Sequence, residues 1–117
     1  MRALNKTRQK VLATSLLEAK SLPERLWGLI PRRNLNPGEG LWIPLCNSIH
    51  TLFMRFELDI LFVDKNLRVV DRREKLRPWK LILPVWRAYG VLELPAGTIA
   101  STETQIGDEL DVGPALS

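Results

Sequence analysis

Residues 46–64 read CNSIHTLFMRFELDILFVD and contain the chain's only cysteine, its only histidine and its densest hydrophobic pattern. At the two-residue period of a strand, His50, Leu52, Met54, Phe56, Leu58, Ile60 and Phe62 fall on one face, and Thr51, Arg55, Glu57 and Asp59 on the other. One face is then apolar and the other carries paired charge. A helical reading stands beside it, because Ile49, Phe53, Phe56 and Ile60 also recur at helical spacing. Aromatic and β-branched content, and the turn signal Asp64-Lys65-Asn66 that follows, favour strands. The sixteen residues from Ile49 to Asp64 exceed an ordinary strand, so a break is expected near Glu57.

Downstream, Leu67 to Arg72 reads as the antiparallel hairpin partner, with Asn66 expected to take the left-handed conformation at the turn. Pro78 and Pro84 make Glu74 to Pro84 an edge or connecting segment. Val91 to Leu94 is a further strand, with Glu93 between two inward leucines, and a single helical turn is expected around Thr98 to Glu103. Upstream, Leu41-Trp42-Ile43 is a short strand before Pro44, and Val11 to Leu16 is a first strand. Between them, Ser21, Pro23 and Glu24 form a capping signature for a helix from about Leu22 to Ile30, followed by a Pro-, Gly- and Asn-rich loop to Gly40.

At 117 residues, 45% hydrophobic and 26% charged, the chain has the size and composition of one globular domain. No apolar run approaches a membrane span, so no membrane partner is expected. The basic N-terminus lacks the apolar region of a secretory signal, and the expected compartment is the cytoplasm. A lone cysteine permits no internal disulfide. All 17 Lys and Arg lie at or before Arg87 with 8 of the 13 acids, and residues 88–117 hold only acids. That asymmetry offers a basic surface, but its bases follow no known nucleic-acid motif, which weighs against nucleic acid as a partner.

The run Cys46-x-Ser48-Ile49-His50-Thr51-x-x-Met54-Arg55-Phe56-x-x-Asp59-Ile60-x-Phe62-x-Asp64, with Leu92-Glu93-Leu94-Pro95-Ala96-Gly97, resembles the DUF192 family. Gly28-Leu29, Arg32, Leu35, Gly38 and Gly40 match the spacing of its N-terminal signature, with Ile30 where members commonly carry Met. Leu76-Arg77-Pro78-Trp79 resembles an LRPW segment of the same subfamily, and Ile106 to Leu110 its closing turn and strand. The resemblance covers about residues 11–112 and implies a mainly β architecture; it assigns no activity. Strand count and punctuation point the same way, to a small antiparallel sandwich or partly open barrel with one or two short helices. Residues 1–10 are expected to be a flexible basic N-terminus, 11–112 a single domain and 113–117 a tail.

Candidate ligand-binding residues are His50, Thr51, Arg55, Asp59 and Cys46. At strand spacing Arg55, Glu57 and Asp59 can share a polar face in which Arg55 binds a carboxylate or phosphate and His50 or Thr51 donates to it. The ordinary alternative is a surface ion network worth under about 1 kcal/mol per pair. Cys46 and His50, about 13 Å apart in a strand, are too distant for a nucleophile and its base, and a buried thiol with a structural histidine is the simpler assignment. One Cys and one His supply too few soft ligands for a transition metal, so no metal or cofactor is expected. Trp42, Trp79 and Trp86 suit either interface anchors or core filling, the commoner fate in a small domain. The resulting expectation is a module that binds a small molecule or a protein, oligomeric state open. The alternative is a small enzyme using a polar cleft at His50, Arg55 and Asp59 with Cys46 as nucleophile.

Overall fold

The computed structural model describes residues 1–19, 34–52 and 54–114. Ten strands and one short helix are seen among them: β1 (Arg2–Asn5), β2 (Lys10–Ala13), β3 (Ser15–Glu18), β4 (Glu39–Pro44), β5 (Ile49–His50), β6 (Leu58–Val63), β7 (Val69–Leu76), β8 (Leu81–Ile82), β9 (Gly90–Pro95), α1 (Thr98–Thr102) and β10 (Leu110–Gly113). They form a five-stranded sheet β3-β4-β9-β6-β7, a three-stranded sheet β10-β1-β2 and the two-stranded β5-β8. The mainly β class expected from the sequence is what the chain adopts. Pairing is antiparallel except for β3 with β4, which run parallel. The helix expected over Leu22 to Ile30 lies outside the described residues.

The decisive segment breaks as expected but more widely. His50 ends β5 and Leu58 begins β6, so residues 51–57 connect two strands of different sheets. All six residues of β6 are buried, because β9 and β7 flank it and both sheet faces are covered. Leu58, Ile60 and Phe62 pack with Leu41, Ile43, Ile49, Ile82 and Val91 on one side. Leu61 and Val63 pack on the other with Trp42, Leu92, Leu94, Ile99 and residues of β1, β2 and β10. The expected division into an apolar and a charged face is therefore corrected: the alternation in β6 separates two cores.

Glu93 is corrected likewise. It is fully buried on the face of Val91, opposite Leu41 and Ile60. The N-terminus is a third correction, since Arg2–Asn5 is the middle strand of its sheet, with Ala3 and Asn5 fully buried. Its polarity misleads because the strand is short and its buried amide finds partners: Asn5 Nδ2 donates to Thr104 Oγ1 and Asp108 Oδ2, each at 3.0 Å.

At the β6–β7 turn, Leu67 and not Asn66 is left-handed, with φ 61°. The Asp64 carboxylate accepts the amides of Asn66 and Arg68 at 2.9 and 3.0 Å, and the Leu67 side chain packs on the core, offsetting a backbone cost of about 1 kcal/mol. Gly40 serves close approach: a Cβ there would sit 3.0 Å from Leu16 Cδ1 and 3.1 Å from Leu94 Cδ2.

Candidate interaction surface

The expected polar face of Arg55, Glu57 and Asp59 does not form, because the strand begins only at Leu58. Arg55 and Glu57 are exposed, whereas Asp59 is fully buried. The Asp59 carboxylate accepts three main-chain amides, from Lys75 at 2.8 Å, Gly97 at 3.1 Å and Ile99 at 2.7 Å. It thereby joins the end of β7 to the turn that opens α1.

Thr51 is also fully buried. Its amide donates to the Lys80 carbonyl at 2.8 Å, its hydroxyl donates to the Arg77 carbonyl at 2.6 Å, and the same oxygen accepts the Lys80 amide at 2.8 Å. Trp79 in turn donates its amide to the Thr51 carbonyl at 2.9 Å. Half-buried His50 pairs with Leu81 across β5 and β8. Half-buried Cys46 packs on the second core, and its thiol donates to the Ser48 carbonyl at 2.9 Å. Thus His50 and Thr51 are brought together as supports of residues 77–82, Asp59 is engaged elsewhere, and Arg55 stands apart in solvent.

What His50 and Thr51 support is an outward apolar surface. In β8, Ile82 enters the core and its neighbours Leu81 and Leu83 face solvent at 66% and 72% exposure. Trp79 lies one strand period before Leu81 and is 61% exposed, and Trp86 is 86% exposed. Of the three tryptophans weighed above, only Trp42 fills the core. The loop carrying Trp86 is fixed at both ends, by Val85 N–H to Asn47 O at 2.7 Å and Tyr89 N–H to Val63 O at 2.7 Å. Cys46 N–H donates to Tyr89 O at 3.1 Å, which sets exposed Leu45 and Tyr89 beside that loop around a cleft of about 270 Å³.

Residues 75–87 contain Lys75, Arg77, Lys80 and Arg87 and no acid. All four are exposed, and among the described residues none forms an ion pair. The Arg87 guanidinium lies 5.9 Å from the Trp86 ring centroid, a cation–π contact. Leu45, Lys75, Trp79 and Arg87 all hold positive φ, between 50° and 70°, at a cost of about 1–2 kcal/mol each. Two features of LRPWKLILPVW could have disclosed this face: leucines alternating at strand period, and proline on either side of the run, which keeps it at a sheet edge.

Among the described residues, no cluster of three or more His, Cys, Asp or Glu could hold a metal ion, and no helix is long and apolar enough to cross a membrane.

The DUF192 profile, described as an uncharacterized ACR, matches residues 3–112. A UPF0127 protein of Thermococcus sibiricus is 34% identical over 112 residues, covering 92% of this chain and 72% of that protein. A UPF0127 protein of Pyrococcus furiosus is 32% identical over 111 residues, covering 92% and 95%. Among solved structures, a protein of unknown function from Novosphingobium aromaticivorans superposes with a TM-score of 0.73 at 23% identity, over 83% of this chain and 74% of that one. A Sinorhizobium meliloti protein provisionally described as a transcription regulator gives 0.75 at 24%, over 94% and 89%. At these identities the two structures speak for the fold alone.

Proposed function

The chain belongs to the DUF192 family, and from that premise we propose that it is an interaction domain presenting the face of Trp79, Leu81, Leu83 and Trp86 to a partner. The observation that carries this reading is the outward placement of two tryptophans and two leucines on a backbone held by Thr51, Asn47 and Val63. Large apolar side chains exposed together mark binding surfaces, and tryptophan is a frequent interface anchor. The oxygen atoms of Thr51 and Asp59, by contrast, are committed to main-chain groups, which supports binding over catalysis.

A photo-crosslinking residue at position 86, compared with one at exposed Ser101 on α1, tests the reading in cells. A discrete adduct with a macromolecule or a lipid, formed from position 86 and not from 101, is expected. Equal or absent labelling at the two positions would refute it.

A second reading is favoured by the cleft beside Cys46: a small ligand seated against Leu45, Cys46 and Tyr89, with His50 nearby in sequence. Slower alkylation of Cys46 in the presence of such a ligand is its test.

A further inference from the structure

We infer that the Trp79–Trp86 face docks on the surface of a bilayer rich in anionic lipid, an inference that rests on the interaction reading above and names its partner. The segment Arg77 to Trp86 carries four large exposed apolar side chains and the exposed bases Arg77 and Lys80, whose backbone is held with that of Trp79 by Thr51. Both components are needed for stable interfacial binding, the apolar tips entering the headgroup region and the bases meeting its negative charge. Tryptophan is the side chain most at home at that depth, and lysine and arginine bury their stems while keeping their charge in water.

Charge decides among the occupants. A second copy docked by two-fold symmetry would bring the same acid-free, basic segment to both sides of the contact, whereas an anionic occupant meets Arg77 and Lys80 with opposite charge. Nucleic acid would satisfy the bases and stack on indoles, but Leu81 and Leu83 offer it nothing to stack on, and one face of the Trp86 ring already carries the Arg87 guanidinium. An anionic bilayer uses leucine, tryptophan and base alike. The backbone is held before contact: hydrogen bonds to Thr51, Asn47 and Val63 fix the segment at both ends, so less ordering remains to be done on binding. Docking of this kind is peripheral and requires no segment that crosses the membrane.

The test is co-sedimentation of the full chain with vesicles of phosphatidylcholine, with and without phosphatidylglycerol. Partition onto the phosphatidylglycerol vesicles is expected, weakening as salt is raised, with little onto phosphatidylcholine alone. Trp86→Ala and Leu81→Glu should each lower the partition on the order of tenfold, and Lys80→Gln or Arg77→Gln about fivefold. All four replace exposed side chains, and unchanged thermal melting checks that they fold.

Absence of partition at low salt, or partition indifferent to Leu81→Glu and Trp86→Ala, overturns the inference. So does tighter binding to single-stranded nucleic acid that vesicles fail to displace. If vesicles are not bound while position 86 still crosslinks to a protein, lipid docking is wrong and the interaction reading stands; if both experiments are negative, both fall.

Discussion

Trp79 donates its main-chain amide to the Thr51 carbonyl at 2.9 Å, while the Thr51 hydroxyl, 2.6 Å from the Arg77 carbonyl and 2.8 Å from the Lys80 amide, closes the same loop around it. One buried threonine thus fixes the backbone from which an exposed tryptophan and two bases project. Thr51→Val keeps the shape and removes the hydroxyl, leaving the Lys80 amide without that acceptor. A loss of about 1–3 kcal/mol is expected. Hydrogen exchange should locate it, with faster exchange at residues 77–80; a variant whose protection there equals wild type would contradict this role.

Asp59 and Arg55 should behave oppositely. Asp59→Ala orphans three amides at the junction of β7 and α1, and a cost of about 3 kcal/mol or more is expected in denaturant unfolding. Arg55→Ala removes an exposed side chain and should change stability by less than about 0.5 kcal/mol. Equal effects from the two would contradict the buried, triply bonded placement of Asp59.

Gly90 faces the six-membered ring of Trp42 so closely that any Cβ would collide with it. Gly90→Ala is expected to destabilise by about 1–3 kcal/mol through displacement of the indole. Near-ultraviolet circular dichroism should report that displacement, and an unchanged tryptophan signal with unchanged stability would exclude it.

Asp108 supplies a pH dependence. Burial pushes its carboxyl up, but hydrogen bonds from Asn5, Arg8 and the Gln105 amide, with the charge of Arg8, outweigh burial and hold it below its ordinary 3.8. A carboxyl depressed on folding stabilises fully above its unfolded value and loses that contribution as pH falls through the folded one. The melting temperature should therefore fall on acidification below about pH 4, and more steeply for wild type than for Asp108→Asn. Parallel curves for the two would rule Asp108 out as a source of that loss.

The strand at Leu58–Val63 with a break before it, the hairpin into β7, the strand at Val91–Leu94 and the helical turn at Thr98 were legible in the sequence, because side-chain period and turn chemistry are local properties. So was the family, whose motifs span the chain. Local pattern could not tell that β6 and β9 would be covered on both faces, and so could not place Asp59 or Glu93 inside; burial is set by which strands become central. The middle position of β1 depends on β10, more than a hundred residues away in the chain. The exposed face is the plainest case. Trp42, Trp79 and Trp86 are alike in sequence, yet Trp42 lies on a strand between β3 and β9 while Trp79 and Trp86 lie on edge segments held outward by hydrogen bonds to Thr51, Asn47 and Val63. Residue type determined that these side chains would seek apolar surroundings; tertiary pairing decided which found them inside the molecule and which remain largely at its surface.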